Sequence, residues 1–111
     1  MTGEMTWFEM GVPNVAQAQR FYGDLLQWTF ESMGDSGAVI STPGGRAGLH
    51  PGDDARQIVT YFHVDDIEAA VQHVRELGGH ADEPSPVESG FGRFVTCRDD
   101  QGVAFGLHQS R

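Results

Sequence analysis

Apolar residues recur along the first third of the chain at the three- and four-residue spacing of a helix. Asn14 precedes this run and is a favourable N-cap, and Gln17 stands three residues later, as in a capping box. The pattern therefore predicts an α-helix with one apolar face. That face consists of Val15, Ala18, Phe21, Tyr22, Leu25 and Leu26.

A second stretch with helical spacing begins after Asp65. Glu68 falls at the third helical position, where an acidic side chain is favourable, and Gly78 and Gly79 provide a stop signal. We therefore predict a second helix. Its apolar stripe is formed by Ile67, Ala70, Val71, Val74 and Leu77.

Short β-prone runs surround both helices. An aromatic-rich run precedes each helix, at 6–11 and 59–64, and three runs separated by Gly and Pro follow each helix. The chain is thus predicted to have the element order βαβββ twice. The runs that follow the helices are 29–33, 38–42 and 47–50 in the first half, and 81–87, 93–98 and 103–108 in the second.

The two halves also match each other in sequence. At an offset of 52 residues, Gly11 to Val15 falls on His63 to Ile67, and at an offset of 58, Gly48-Leu49-His50 falls on Gly106-Leu107-His108. The matches lie where the element order already predicts equivalent positions. We interpret the chain as one domain, 1–111, built from a module at about 5–51 and a second at about 57–109.

Composition limits the partners of this domain. With 111 residues the chain has room for one core, and its net charge of -9 disfavours nucleic acid and anionic membranes as partners. A single cysteine, Cys97, excludes an internal disulfide and fits a reducing compartment; a lone cysteine in an aromatic-rich strand is more often a buried hydrophobe than a nucleophile. The start of the chain has no signal-peptide pattern, so a cytoplasmic location is expected.

Three sequence signatures carry a family resemblance. These are Phe21-Tyr22 followed by Leu26, Leu77-Gly78-Gly79, and the turn from Asp99 to Gly102. With the tandem βαβββ order, they resemble the vicinal oxygen chelate superfamily, which includes glyoxalases, bleomycin-resistance proteins and extradiol dioxygenases. The resemblance implies an α+β fold in which the tandem βαβββ modules form a curved mixed sheet around a cavity, with the helices on the outside. Members usually have Pro where this chain has Asp100.

The same resemblance bears on metal binding. Members with a metal hold it through four residues on the first and last strands of the two modules, and these positions fall on Trp7, Gly48, Val59 and Gly106. None of these residues offers a metal-binding side chain. The resemblance therefore implies a member without the usual metal site, and we expect no metal and no other cofactor.

Side-chain alternation then indicates what lines the implied cavity, because residues two apart on a strand face the same side. A displaced metal site made of Glu9, His50 and His108 is the alternative to a simple ligand pocket. The predicted ligand-binding set is Trp7, Glu9, His50, Val59, Tyr61, His63, Gly106 and His108.

The leading expectation for function is metal-independent binding of a planar hydrophobic or cationic metabolite or drug, stacked on Trp7 and Tyr61 and oriented by Glu9. The alternative is an enzyme, either a metal-dependent lyase or dioxygenase that uses Glu9, His50 and His108, or a metal-free isomerase or cyclase. An interaction module with a collapsed cavity is a third possibility. A homodimer is expected, because relatives commonly pair and a half-open sheet exposes its edges.

Overall fold

Two α-helices, one short 3₁₀ helix (Gly34–Ser36) and eight strands make up the fold, as seen in a computed structural model that describes residues 2–52, 56–88 and 90–110. The predicted α+β class and the repeated βαβββ order are confirmed. The helices are α1 (Val15–Leu26) and α2 (Ile67–Glu76), and the strands are β1 (Met5–Val12), β2 (Thr29–Ser32), β3 (Ala38–Thr42), β4 (Gly45–Pro51), β5 (Ile58–His63), β6 (His80–Ala81), β7 (Arg93–Arg98) and β8 (Ala104–Gln109).

The chain divides into two compact units. The first unit is Trp7–Val59, and the second is Thr60–Arg111 together with Met1–Thr6. In the first unit the strands follow the order β2-β3-β4-β1, and in the second the order β5-β8-β7-β6. Each unit has one parallel pair, β1 with β4 or β5 with β8, and its other pairs are antiparallel, so the predicted mixed pairing is confirmed.

Both helices begin at side-chain caps. Asn14 Oδ1 accepts a hydrogen bond from Gln17 N at 2.9 Å, as the sequence predicts. The second helix is capped by Asp66, whose Oδ1 accepts from Ala69 N at 3.1 Å, so the predicted start after Asp65 is wrong by one residue. Residues 65 and 66 are both aspartates, so the sequence alone offers two possible caps. The cap is the one whose side-chain oxygen reaches the N–H of the third helical residue.

In the first unit, α1 packs on one face of the sheet. Met10, Ile40 and Leu49 form the centre of this core with Ala18 of the helix, while Val15 and Tyr22 pack against it. Phe21 and Leu25 are 61% and 63% exposed, so the predicted apolar face is only partly buried. The residues 15, 18 and 22 follow the line of contact with the sheet, and Phe21 and Leu25 lie to one side of it.

The second unit has its own core beneath α2. Ile67 and Val71 of the helix pack on Val95 and Cys97 of β7 and on Leu107 of β8. In β7 and β8, as in β1 and β4, every second residue enters the core and the residues between them occupy the other face of the sheet. These other faces carry the candidate site residues.

One predicted strand is much shorter than expected. Of the run at 81–87, only Ala81 lies in a strand, the two-residue β6, although Ser85 N still donates to Phe94 O at 2.8 Å. Pro84 and Pro86 lack an N–H and cannot continue a regular ladder, so the segment follows β7 with irregular contacts.

The turn between β7 and β8 is built around an aspartate. Asp99 Oδ1 accepts hydrogen bonds from Val103 N at 3.0 Å and from Gln101 N at 2.8 Å. These backbone N–H groups, that of Val103 first, lower the pKa of the Asp99 carboxyl. The turn therefore keeps its shape with Asp100 in place of the proline that the resemblance implies. Within the described ranges, no helix is long and apolar enough to cross a membrane.

Cys97 gives a test of the second core. It is 1% exposed, and burial raises the pKa of its thiol from the ordinary value of 9.0 to about 11; the charge of Asp82 adds to the rise and that of Arg75 opposes it. The folded protein favours the protonated thiol, because the pKa of Cys97 is higher in the folded than in the unfolded state. The contribution of this thiol to the free energy of unfolding is therefore complete below pH 9 and is lost as pH rises through about 11. Urea denaturation should show stability falling over that window, and less so in Cys97→Ala.

The thiol should also resist an aromatic disulfide reagent at pH 8 in the folded protein and react at once in urea, because the thiolate is the reactive form. Rapid modification of the folded protein at pH 8, with its circular dichroism unchanged, would show that Cys97 is not in the core.

Candidate functional site

Glu9 lies at the centre of a hydrogen-bonded group on the first unit. Its Oε2 accepts from Trp7 Nε1 at 2.5 Å, and its Oε1 lies 3.1 Å from His50 Nδ1. The Glu9 and His50 side chains are 26% and 37% exposed. A carboxylate oxygen accepts hydrogen bonds, so Nδ1 of His50 is the donor in this contact.

The strand arrangement brings these three residues together. Trp7 and Glu9 are two apart on β1, so they share the face opposite to Phe8 and Met10, which belong to the helix-side core. The parallel pairing places Glu9 beside Gly48 of β4, and His50 follows two residues later on that strand. The tight cluster is thus a consequence of strand register.

Gly48 makes this cluster possible. A Cβ atom at this position would overlap both carboxylate oxygens of Glu9. The absence of a side chain lets Glu9 lie flat across β4 and reach His50. Glu9 therefore fills the space that a side chain at residue 48 would need.

The second unit repeats the arrangement with different chemistry. Tyr61 pairs with Gly106 in the parallel ladder of β5 and β8, and a Cβ at Gly106 would overlap the Tyr61 ring. Tyr61 is 9% exposed, its ring meets that of Phe94 edge-on at 5.8 Å, and its hydroxyl lies 3.4 Å from Thr96 Oγ1. A phenol thus occupies the place that a carboxylate occupies in the first unit.

His108 is held in a different way from its sequence equivalent, His50. Its Nε2 is hydrogen-bonded to the carbonyl oxygen of Phe91, and Thr6 Oγ1 lies 3.3 Å from its Nδ1. Since a carbonyl only accepts, Nε2 carries the hydrogen. The ring also stacks on Phe94 at 5.1 Å, so His108 fastens the segment before β7 to the sheet.

His63 lies among acidic side chains of the second unit. Its Nδ1 is 3.6 Å from Glu4 Oε1 and 3.9 Å from Asp65 Oδ1, and its ring centre is 6.5 Å from that of His108. Its backbone also holds the N-terminal segment, because Gly3 N donates to His63 O and His63 N donates to Glu4 O, both at 2.8 Å.

The structure thus sorts the predicted site residues into two sets. Trp7, Glu9 and His50 form one hydrogen-bonded group, hereafter the Trp7–Glu9–His50 group, and Val59 is buried at 7% exposure. Tyr61, His63, Gly106 and His108 lie together in the second unit. Sequence reasoning missed Phe94 and Thr96, although β-strand alternation around the buried Val95 would have placed both on the same face as Gly106.

The residues at the four implied metal positions do not suit a metal ion. Trp7 and Val59 have no ligand atom, and the space over Gly48 and Gly106 is filled by Glu9 and Tyr61. Within the described part of the chain, no three His, Cys, Asp or Glu side chains come together as a metal-binding group. The displaced site predicted from Glu9, His50 and His108 is not supported, because Phe91 and Thr6 hold the ring nitrogens of His108.

Comparison with known proteins agrees with the architecture. A family model described as a glyoxalase-like domain matches residues 7–108. The anthracycline biosynthesis protein DnrV from Streptomyces peucetius is 29% identical over an alignment that covers 95% of this chain and 46% of DnrV. The chain therefore spans about half the length of that curated relative.

Solved structures show the same fold at low identity. Methylmalonyl-CoA epimerase from Mycobacterium tuberculosis has a TM-score of 0.66 and 19% identity, with 98% of this chain and 88% of the epimerase covered. An extradiol ring-cleaving dioxygenase from B. fuscum has a TM-score of 0.77 and 17% identity, with 98% and 33% covered.

The two glycines predict unequal costs for the same substitution. At Gly48 an added Cβ meets the flexible end of Glu9, which can move away, whereas at Gly106 it meets the ring of the buried Tyr61. We expect Gly48→Ala to lower the free energy of unfolding by about 1 kcal/mol and Gly106→Ala by about 3 kcal/mol. Urea denaturation measures both.

Gly48→Ala should nevertheless disturb the Trp7–Glu9–His50 group. The Trp7 indole N–H resonance, assigned in a Trp28→Phe background, should move in Gly48→Ala and in Glu9→Gln alike. Equal stability losses for the two glycine variants, with an unmoved Trp7 resonance, would contradict the packing described here.

Proposed function

Because the chain belongs to the glyoxalase-like domain family, we propose that it binds a small, planar organic molecule without a metal ion and recognises it through the Trp7–Glu9–His50 group. The observation that supports this proposal is the hydrogen bond from Trp7 Nε1 to Glu9 Oε2, at 2.5 Å. This bond fixes the orientation of a partly exposed indole beside a carboxylate.

A fixed indole is a favourable surface for a flat ligand. Stacking on Trp7 supplies apolar contact area, and little side-chain entropy remains to be lost because Glu9 already orients the ring. Tyr61, in contrast, is 9% exposed and packs against Phe94, so it offers a ligand much less surface than Trp7 does.

The carboxylate adds selectivity for charge. Glu9 presents two oxygens, both of which are hydrogen-bonded within the group, and it is 26% exposed. A cationic or hydrogen-bond-donating ligand beside Trp7 gains from this negative charge, and an anionic ligand is disfavoured. The ligand class is therefore a planar aromatic compound that is neutral or positively charged.

The curated relative suggests which planar compound to test. DnrV is named for anthracycline biosynthesis, and anthracyclines combine a flat tetracyclic body with an amino sugar. We propose an anthracycline or a precursor of similar shape as the ligand. The aglycone and the amino-sugar glycoside provide a neutral and a cationic probe with the same planar body.

Fluorescence titration in a Trp28→Phe background should show quenching of Trp7 by both probes. Trp7→Ala should raise the dissociation constant of both roughly 10-fold, because the stacked ring is lost. Glu9→Gln should weaken the glycoside more than the aglycone, because only the glycoside carries a positive charge.

Trp28→Phe is a suitable background, because Trp28 stacks on Tyr22 at 5.7 Å in the helix-side core, away from Glu9. Calorimetry measures binding to Trp7→Ala, which lacks the fluorescent ring. The proposed recognition surface would be refuted if this variant stays folded and binds both probes as tightly as the parent.

A second candidate function rests on the contact between Glu9 and His50. We propose for this function that Nε2, the ring nitrogen opposite the Nδ1 that lies 3.1 Å from Glu9 Oε1, acts as a general base. In such a reaction a C–H bond next to a carbonyl breaks, the proton moves to Nε2, and the electron pair moves to the carbonyl oxygen. Return of the proton then completes an isomerisation.

Exchange in heavy water distinguishes the two functions. A binding protein leaves its ligand free of deuterium, whereas the isomerase introduces deuterium at the carbon next to the carbonyl. Incorporation that is lost in His50→Gln and kept in His80→Gln would establish the catalytic function. His80 is a suitable control because it is exposed on β6.

A further inference from the structure

A cavity lies on the helix side of the first unit. It has a volume of about 350 Å³ and opens beside the start of α1. Val12 and Pro13, at the end of β1, line one part of it, and Phe21 and Tyr22 of α1 line another. Trp7 and Glu9 lie on the opposite face of β1 from Val12, so this cavity is distinct from the Trp7–Glu9–His50 group.

The helix wall of the cavity is aromatic and well supported. Phe21 meets Tyr22 edge-on at 5.1 Å, and Tyr22 stacks on Trp28 at 5.7 Å with an interplanar angle of 16°. Phe21 is nevertheless 61% exposed, which is unusual for a phenylalanine on the apolar side of a helix. A flat apolar molecule in this cavity would cover it.

The charge around the cavity has the opposite sign to that of the protein. The chain as a whole carries -9, yet Arg56 lines the cavity, and among the described lining residues none is acidic. The first turn of α1 also has no acidic residue. Among the described residues that line the cavity, an anionic group therefore meets a guanidinium and no carboxylate.

The backbone beside Arg56 is tied to the first unit. Arg56 adopts a φ of 51°, in the left-handed region that few side-chain-bearing residues use, and the next residue is tied to β1 because Gly11 N donates to Gln57 O at 2.9 Å. The segment that carries Arg56 is therefore attached to β1 directly after this residue.

We propose that this cavity is a binding site for a small organic anion with a flat apolar body, such as an aromatic carboxylate or sulfonate. Phe21 and Tyr22 contact the body, and Arg56 binds the anionic group. The site selects for negative charge, whereas the Trp7–Glu9–His50 group disfavours it, so the two sites take different ligands.

The fluorescent probe 1-anilinonaphthalene-8-sulfonate tests this proposal, with N-phenyl-1-naphthylamine as its neutral analogue. The sulfonate should bind at one site per chain and more tightly than the neutral analogue. Arg56→Gln should weaken sulfonate binding about 5-fold and leave the neutral analogue unchanged, because only the ionic contact is lost. Phe21→Ala should weaken both probes.

Two control variants locate the site. Arg20→Gln removes a positive charge from α1 at a residue that does not line the cavity. Leu77→Ala alters a separate cavity of about 310 Å³ in the second unit, which Asp99 and Asp100 line and which should reject anions. Neither variant should change sulfonate binding.

Three results would overturn the proposal. These are equal affinity for the sulfonate and the neutral analogue, unchanged sulfonate binding in a folded Arg56→Gln protein, and loss of sulfonate binding in Leu77→Ala. None of them would affect the proposed function of the Trp7–Glu9–His50 group, because that group is tested with neutral and cationic probes.

Discussion

The close packing of one strand's side chain over a glycine of its parallel neighbour determines what each unit presents on its open face. Glu9 lies over Gly48, and Tyr61 lies over Gly106. Any larger residue at either glycine would push the neighbouring side chain out of position. Parallel strands that already face a helix core on one side can therefore carry a compact polar or aromatic cluster on the other.

The same packing bears on the four metal positions that the family resemblance implies. The positions implied for ligands on β4 and β8 are the glycines themselves, and the neighbouring side chain fills the space above each of them. In the first unit the result is a carboxylate bound to an indole and an imidazole. In the second unit it is a phenol packed against an aromatic ring. Sequence equivalence between the modules thus leads to two different chemical environments.

Much of the fold could be predicted from the sequence because its signals are local. Both helices and the order of strands follow from hydrophobic spacing, and Asn14 caps α1 as expected. The strand predicted at 81–87 is wrong, because Pro84 and Pro86 interrupt the ladder and this outweighs the β-propensity of their neighbours. The exposure of Phe21 also could not be predicted, since periodicity gives a helix its apolar side but not the width that the sheet covers.

The site was harder to predict, because its contacts depend on register and tautomer. Alternation correctly puts Glu9 and His50 near each other, but the repeat of Gly-Leu-His suggests that His50 and His108 are equivalent. Their partners differ. His50 faces the carboxylate of Glu9, while His108 donates to the carbonyl of Phe91, which lies in the loop between β6 and β7. Nothing in the local sequence of β8 specifies that loop contact.

We propose that Glu9, through its contacts with Trp7 and His50, is unavailable to a metal ion. The most direct test is to titrate chelator-treated protein with Zn²⁺, Ni²⁺ or Mn²⁺ while following the Trp7 indole N–H resonance by NMR. We expect the resonance to stay in place at one metal ion per chain. A shift that saturates at one ion per chain and disappears in His50→Ala would contradict it.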